Sequence, residues 1–198
     1  MPPKKSSKDM VYQLKVTLSG SKPPIWRRLL VSGKVSLLDF HRIIQVVMGW
    51  TNSHLHQFII YEKYYSIPSE DDWQPVMDER KYRLAKIAVA EGRKFVYEYD
   101  FGDSWEHLIL VEKILPPDPN MTYPLCLKGK RACPPEDVGG VWGYEEFLEA
   151  IRDPAHEEHE SYLEWVGGDF DPEAFDLVEI NQRLREIDKM EWWDEWDG

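Results

Sequence analysis

The sequence predicts an α+β fold, in which a mostly antiparallel sheet with one packed helix is followed by a C-terminal layer of helices. Two observations predict it. Apolar residues alternate with polar ones in several segments between residues 11 and 115, which is typical of half-buried strands. After residue 136 the apolar residues recur at intervals of three and four, which is typical of helices. The order of hairpin, helix and further strands also allows a β-grasp-like sheet.

A hairpin and a helix come first. Residues 11–18 and 25–31 alternate and are separated by a turn that contains glycine and proline, so they are expected to pair antiparallel. Ser36 then begins a helix with Asp39 as its capping partner. Gly49 is expected to end this helix.

More strands follow this helix, at residues 54–61, 64–67, 94–99 and 105–115. The last two form a hairpin around the turn at residues 100–104. Residues 83–90 fit a helix and a strand equally well. Residues 116–135 contain two Pro-Pro pairs and are expected to be irregular.

The C-terminal part is predicted to be helical. The first helix has an apolar face formed by Tyr144, Phe147, Leu148 and Ile151. A second helix spans residues 156–166. A third begins after the N-cap residue Asp171, which Pro172 follows.

Three regions are therefore expected: a flexible basic tail at residues 1–9, a sheet region at 10–135, and an acidic helical region at 136–198 that packs on it in one compact domain. The net charge is −12, and residues 145–198 hold 19 of the 36 acidic residues but 4 of the 24 basic ones. The composition excludes a globally basic nucleic-acid binder. The acidic stretch is interpreted as a solvated helical face, with a surface that docks a basic partner as the alternative.

The chain is expected in the cytoplasm. Its longest apolar runs have four residues, so no segment is expected to span a membrane. The N-terminus lacks the apolar segment of a signal peptide, and two cysteines do not form a disulfide framework.

The richest polar cluster lies at the predicted hairpin turn. Asp100, Asp103 and His107 at the rim of a cleft could bind a cation or act as acid and base. The alternative, which the pattern favours, is a turn whose acids cap backbone amides and whose aromatic residues belong to the core.

Cysteine and histidine pairs are weaker candidates for a metal site. Cys126 and Cys133 have six residues between them, more than zinc ligands usually have, and basic neighbours are expected to lower the pKa of both thiols. His156 and His159 lie on one side of a predicted helix, where a solvated acidic helix start is the favoured alternative.

Two further histidines, His54 and His56, share a face of a predicted strand. The sequence shows no third ligand for them, so a structural role is favoured.

Several ordered motifs resemble the plasmid pRiA4b ORF-3-like family, whose members are also described as passenger proteins of insertion elements. The matching segments are residues 12–16, 24–28, 99–107, 131–137, 139–140, 143–144, 170–172 and Asn181. They span roughly residues 10–187, and their shared order is more specific than any single motif. The resemblance implies a common fold and an association with plasmids or mobile elements. It implies no established activity.

The sequence favours a soluble binding or adaptor module over an enzyme, because no complete catalytic set is present. The binding surface is predicted from polar and aromatic residues of loops, namely Asp100, Asp103, Trp105, His107, Arg131, Glu136 and Asp137.

Two alternatives stay open. The first is a metal-dependent hydrolase or nuclease that uses Asp100, Asp103 and His107 with a metal-bound water. The second is a nucleic-acid-associated accessory protein that uses the basic stretch at Arg27 and Arg28.

The leading interpretation requires no cofactor, whereas the hydrolase alternative requires a divalent metal ion. The expected partner is a protein or a second copy of the chain, bound through the acidic tail that contains Trp192, Trp193 and Trp196. A tail that folds back on its own domain fits equally well.

Overall fold

The computed structural model describes residues 9–192 of the chain. Its strands are β1 (Val11–Leu18), β2 (Trp26–Ser32), β3 (His56–Ile60), β4 (Lys63–Ser66), β5 (Val76–Asp78), β6 (Lys94–Tyr99), β7 (Trp105–Leu115) and β8 (Leu125–Lys130). Its α-helices are α1 (Leu37–Met48), α2 (Leu84–Ile87), α3 (Gly140–Arg152), α4 (His159–Trp165) and α5 (Leu177–Arg185). Short 3-10 turns lie at Glu79–Lys81 and Ile187–Lys189.

The strands form one sheet in the order β5-β4-β3-β6-β7-β1-β2-β8. Every neighbouring pair is antiparallel except β4 and β5 at one edge. Strand β1 is antiparallel to both of its neighbours, β2 and β7. The predicted α+β class with a mostly antiparallel sheet is thus confirmed.

One face of the sheet is buried beneath α1. Along β1 the side chains of Leu14 and Val16 are fully buried, whereas the intervening Lys15 is partly exposed. Helix α1 packs on the buried face through Phe40, whose ring stacks on that of Phe58 with centroids 5.8 Å apart. Burying a Phe side chain stabilises the fold by about 2–3 kcal/mol, so this contact sets the position of α1.

Both ends of α1 are fixed by the predicted residues. Ser36 and Asp39 form a capping box, and Gly49 ends the helix in the left-handed conformation with φ 103°. The same glycine turns the chain into the loop at residues 50–55, which contributes His54 to the site described below.

Two strands lie where none was predicted. Strand β8 falls inside the segment expected to be irregular and pairs with β2 at the edge of the sheet. Strand β5 follows a polar loop and pairs with β4. Both are short edge strands, so their conformation depends on a partner more than on their own sequence.

The third C-terminal helix begins later than predicted. Asp176 caps α5 by accepting hydrogen bonds from the backbone N–H groups of Val178 and Glu179. Asp171 accepts one from the backbone N–H of Glu173 instead, in a separate turn. Asp171 and Asp176 are both suitable N-cap residues in the sequence, and in the structure Asp176 caps the helix.

The C-terminal helices pack on the sheet region. Helix α5 contacts β8 and α1, and Asn181 on α5 hydrogen-bonds the backbone of Cys126 through both ends of its amide, at 2.8 and 2.9 Å. Side chains of α3 and α5 join the same core cluster as those of the strands. Among residues 9–192 no helix is both long and apolar enough to cross a bilayer.

The N-terminal tail and the C-terminal tryptophans lie mostly outside the described residues, which exclude residues 1–8, Trp193 and Trp196. Asp9 forms an ion pair with Lys34 at 3.2 Å. The ring of Trp192 lies 5.6 Å from the guanidinium of Arg42 on α1.

Candidate metal centre

Four polar side chains from three loops converge at one end of the sheet. Nε2 of His54 lies 3.0 Å from Oδ1 of Asp137, 3.6 Å from Oδ2 of Asp100 and 3.9 Å from Oε2 of Glu136. One ligand atom from each of His54, Asp100 and Asp137 lies within 4.8 Å of the other two. Two ligands held about 2.1 Å from a common metal ion are themselves about 3–4 Å apart, so this spacing suits a bound cation.

Asp100 directly follows β6 and begins the tight turn before β7. Its backbone is left-handed, with φ 58°, which aspartate tolerates better than most residues. Its Oδ1 accepts hydrogen bonds from the backbone N–H groups of Gly102 at 2.9 Å and Asp103 at 3.3 Å. The turn therefore uses one carboxylate oxygen and leaves Oδ2 facing His54.

His54 lies in the loop between α1 and β3. The backbone N–H of Asp100 donates to the carbonyl of Leu55 at 2.9 Å, which continues the β3–β6 pairing past the end of both strands. The edge of the His54 ring also packs against Tyr99, with centroids 5.8 Å apart. These contacts hold the His54 loop beside the Asp100 turn.

Glu136 is held by one of its two oxygens. Its Oε1 accepts hydrogen bonds from the backbone N–H of Thr51 at 2.7 Å, the hydroxyl of Thr51 at 3.0 Å and the hydroxyl of Tyr99 at 3.1 Å. The Tyr99 hydroxyl in turn accepts from the backbone N–H of Ser53 at 2.9 Å. Burial, and then the nearby Glu136 carboxylate, raise the pKa of Tyr99, so this hydroxyl stays a donor at neutral pH.

Two buried atoms at the centre have no hydrogen-bond partner among residues 9–192: Nε2 of His54 and Oε2 of Glu136. Although Asp137 lies 3.0 Å from His54, the two groups are not oriented for a hydrogen bond. A buried polar atom without a partner costs about 1–3 kcal/mol, so both atoms are poised for a ligand.

Asp137 is the exposed member of the centre, with 69% of its side chain accessible. It begins the loop that leads into α3. Oδ2 of Asp103 accepts a hydrogen bond from the backbone N–H of Gly139 at 3.0 Å, which ties this loop to the hairpin turn. The backbone of Gly140 lies so close to the hairpin turn that an added Cβ at this position would be 2.7 Å from the carbonyl oxygen of Asp103.

The charge at the centre is uncompensated by other residues. Asp100, Glu136 and Asp137 form no ion pair with a lysine or arginine within the described part of the chain, and the basic side chain within 4 Å of them is that of His54. Carboxylates with one imidazole are ligands that suit divalent ions such as Mn²⁺, Fe²⁺ and Zn²⁺. A cation here would relieve the repulsion between the three acids.

The trio of Asp100, Asp103 and His107 does not meet. Asp103 caps the loop before α3, and His107 lies in the core, where it accepts a hydrogen bond from Trp50 at 3.3 Å. Burial lowers the pKa of His107 to about 4, so its ring is neutral at pH 7. Trp105 is also buried and packs on Trp50 with ring centroids 5.6 Å apart.

Arg131 has a structural position as well. Its Nε donates to Glu173 at 2.7 Å and its Nη1 to the carbonyl of Pro23 at 2.9 Å, and its side chain is 2% exposed. Of the predicted surface residues, three come together in the structure: Asp100, Glu136 and Asp137. The side chains of the other four have different partners and do not belong to this cluster: Asp103, Trp105, His107 and Arg131.

The weaker metal candidates form no cluster within residues 9–192. Burial raises the pKa of Cys126 to about 11 and the pKa of Cys133 well above its usual value, so the expected lowering by basic neighbours is wrong. His156 accepts a hydrogen bond from the backbone N–H of Glu158, and the ring of His159 bonds the carbonyl of Ala150. Both histidines therefore stabilise the ends of helices.

His54 is the ligand that the sequence did not assign. The sequence pointed to His54 only as half of a pair with His56 on a predicted strand. Strand β3 begins at His56, however, so His54 lies in the preceding loop. His56 instead lies in the core, 2.9 Å from the buried carboxylate of Glu79. The two histidines therefore have different partners.

A cavity of about 460 Å³ opens beside the centre. Thr51, Glu136 and Asp137 line it on the side of the centre. The opposite side is formed by apolar and aromatic residues, namely Cys133, Pro134, Pro135, Trp165, Val166 and Phe170. We call this cavity the α4 cleft, because Trp165 ends helix α4.

Comparisons with known proteins identify relatives that cover most of the chain. A family model described as plasmid pRiA4b ORF-3-like protein matches residues 10–179. The uncharacterised protein y4hQ of Sinorhizobium fredii (strain NBRC 101917 / NGR234) is 41% identical over 179 residues, which are 89% of this chain and 92% of that protein.

A solved relative has the same fold. The crystal structure of the protein of unknown function MM3350 from Methanosarcina mazei Go1 is 41% identical to this chain, with a TM-score of 0.78. The match covers 86% of this chain and 97% of that one. Neither relative's name assigns an activity, so the geometry of the centre carries the functional argument.

Proposed function

The chain belongs to the plasmid pRiA4b ORF-3-like family, and we propose that it binds a divalent metal ion at a centre formed by His54, Asp100, Glu136 and Asp137. One observation carries the proposal: ligand atoms of His54, Asp100 and Asp137 lie within 4.8 Å of one another. Glu136 lies 3.9 Å from His54, and the facing atoms of both are buried without a hydrogen-bond partner among residues 9–192. A site of this kind is stabilised by a cation and strained without one.

The way the ligands are held supports a preorganised site. The second oxygens of Asp100 and Glu136 are fixed by hydrogen bonds from the backbone and from Tyr99, which orients the free oxygens. Hydrogen bonds to groups that ligate a metal typically raise its affinity by a factor of 10–100.

The metal alone tests the proposal directly. Isothermal titration of chelator-treated protein with Mn²⁺ and Zn²⁺ should give about one site per chain, and D100N and H54Q should each weaken binding at least tenfold. The matched controls D71N and H159Q change an exposed aspartate and a helix-end histidine and should bind as wild type. Equal affinities in all five proteins would refute the centre.

Metal-dependent hydrolysis is a second candidate function, and the α4 cleft favours it. Asp137 is exposed and lines the cleft, so one side of the centre faces space that a substrate can enter. A metal ion lowers the pKa of its bound water and thus supplies a nucleophile near neutral pH. Turnover of ester substrates that D100N abolishes would support this activity.

The adaptor role predicted from the sequence also remains a proposal. It is supported by Trp142 on α3, which is 83% exposed and has the exposed Glu145, Glu146 and Glu149 on the same helix. An exposed aromatic residue among acids suits a basic protein surface. Sedimentation velocity of wild type and W142A, alone and with a basic peptide, measures both self-association and binding.

A nucleic-acid role loses the observation that suggested it. Arg27 is 2% exposed and donates to backbone carbonyls, among them that of Val47 at 2.7 Å. Arg28 is paired with Glu112 at 2.6 and 2.8 Å. The basic stretch therefore has partners within the protein.

A further inference from the structure

We infer that the α4 cleft, while no metal ion is bound at the centre, prefers a neutral or cationic compound with an aromatic or aliphatic group to a phosphate ester. The inference deepens the proposed function, since this compound would lie beside the metal centre. It follows from the shape of the cleft, its walls and the sign of the charge around it.

The walls of the cleft suit an apolar group. Trp165 is 47% exposed, and its ring is held edge-on by Phe147 and Tyr162 with centroids 6.0 and 6.2 Å away. Phe170 is held by the same Phe147, at 5.2 Å. The rings of Trp165 and Phe170 are therefore held in place by neighbouring aromatic side chains. The cleft volume of about 460 Å³ is in the range of small-molecule sites.

The charge of the cleft disfavours anions. Within the described part of the chain, the residues that line it include Glu136 and Asp137 but no lysine, arginine or histidine. Together with Asp100 the centre carries three carboxylates and is therefore anionic while no metal ion is bound. In that state a phosphate ester would be repelled, whereas an amine would be attracted to the acids and to the aromatic faces.

Two buried arginines lie near the cleft, of which Arg131 is paired with Glu173, so among the described residues the three carboxylates face one cation without an acidic partner, Arg27. Arg27 and Arg131 act electrostatically on Cys133 and Tyr144, but each is 2% exposed. Arg27 donates to the carbonyl of Val47, and Arg131 to Glu173 and Pro23. One nitrogen of Arg131, Nη2, has no partner among residues 9–192, but it is buried beneath the surface.

Three compounds of similar size and different charge test the inference: benzylamine, benzyl alcohol and phenyl phosphate. Their dissociation constants are measured by ligand-observed NMR on the full chain, once with Zn²⁺ and once with chelator. With chelator present, benzylamine should bind at least about tenfold more tightly than phenyl phosphate, because one like-charge contact in a partly buried site costs that much or more. Benzyl alcohol should lie between them.

Variants locate the binding site. W165A should weaken benzylamine and benzyl alcohol several-fold, whereas W73A, which removes an 88% exposed tryptophan outside the cleft, should leave both unchanged. W165K adds a cation to the rim and should move the preference toward phenyl phosphate. Circular dichroism shows whether each variant is folded, and W165F replaces W165A if that variant is not.

With chelator present, phenyl phosphate binding as tightly as benzylamine, or binding that W165A and W165F leave unchanged, would overturn the inference. Failure of the proposed function is distinguishable from this. If Zn²⁺ does not bind but the order of the three compounds holds with chelator, the metal proposal fails and the cleft assignment is supported. If Zn²⁺ binds but the order is reversed with chelator, the cleft assignment is wrong and the metal centre remains.

Discussion

The hydroxyl of Tyr99 donates a hydrogen bond of 3.1 Å to the carboxylate of Glu136. Tyr99 is fully buried at the end of β6, so a residue of the sheet fixes a side chain that comes from a loop 37 residues later. The next residue after Tyr99 is Asp100, which belongs to the same centre. Two consecutive residues thus provide one proposed ligand and the support for another.

Y99F should weaken metal binding about tenfold while it leaves the fold intact. The variant removes the donor to Glu136 and the acceptor for Ser53, and supporting residues of this kind typically contribute a factor of 10–100. Titration calorimetry with Mn²⁺ measures the change. Y64F, on the partly exposed β4, is the control. A Y99F protein with wild-type affinity would show that Tyr99 does not orient Glu136.

G140A should destabilise the protein more than G167A. Both glycines have positive φ, at 70° and 81°, so an alanine at either position should lower the stability by a similar amount, about 1 kcal/mol, because of its backbone conformation. Only at residue 140 would the new Cβ contact backbone, 2.7 Å from the carbonyl oxygen of Asp103, whereas at residue 167 nothing lies within 4 Å.

Urea unfolding compares the two variants, and Mn²⁺ titration shows whether G140A also displaces the loop of Glu136 and Asp137. The expected result is a lower midpoint and weaker metal binding for G140A alone. Equal midpoints would mean that the approach of Gly140 to the hairpin turn imposes no steric requirement.

The stability of the protein should fall as the pH drops below about 6.5. Burial lowers the pKa of His107 to about 4, so between that value and the usual 6.5 the unfolded chain binds a proton that the folded chain does not. Burial lowers the pKa of His41 in the same direction. The proton uptake of His107 alone should lower the free energy of unfolding by about 3 kcal/mol once the pH reaches 4.

The measurement is the free energy of unfolding in urea at pH 7.5, 6.5 and 5.5 with chelator present. The variant H107Q should show a shallower dependence over this range, even if it is less stable throughout. A stability that is constant from pH 7.5 to 5.5 would contradict the buried neutral state of His107.

The two thiols should be slow to react in the folded protein. Burial raises the pKa of Cys126 to about 11, which leaves about one thiolate in a thousand at pH 8, and it raises that of Cys133 well above its usual value. Ellman's reagent measures the rate. Both cysteines should react within minutes in 6 M urea. Fast reaction of Cys126 without urea would show that β8 opens readily, whereas Cys133 is partly exposed in the α4 cleft.

Local alternation predicted the centre of the sheet well. The hairpin of β6 and β7 has the predicted bounds, because every second residue is buried along β6 and along β7 as far as Val111. These residues are Phe95, Tyr97 and Tyr99 on β6 and Trp105, His107, Ile109 and Val111 on β7. Strand β8 was not predicted, since its short sequence contains Gly129 and takes its conformation from β2 and from Asn181. Edge strands depend on contacts that a local pattern does not contain.

The site was predicted in part. Asp100, Glu136 and Asp137 stood out as polar residues in turns, where packing does not explain them. His54 did not, because it precedes β3 and meets Asp100 only through the β3–β6 pairing. His107 could have been assigned to the core from the sequence, since it alternates with Trp105, Ile109 and Val111.

The amide of Asn181 has a consequence for the outer edge of the sheet. Its oxygen and nitrogen engage the N–H and the carbonyl of Cys126, just as the peptide groups of a ninth strand would do. Strand β8 is the last in the order, so these are groups that another polypeptide would otherwise use to extend the sheet. Helix α5 thus occupies the hydrogen-bonding groups of Cys126, so an added strand cannot pair with β8 at this residue unless α5 moves.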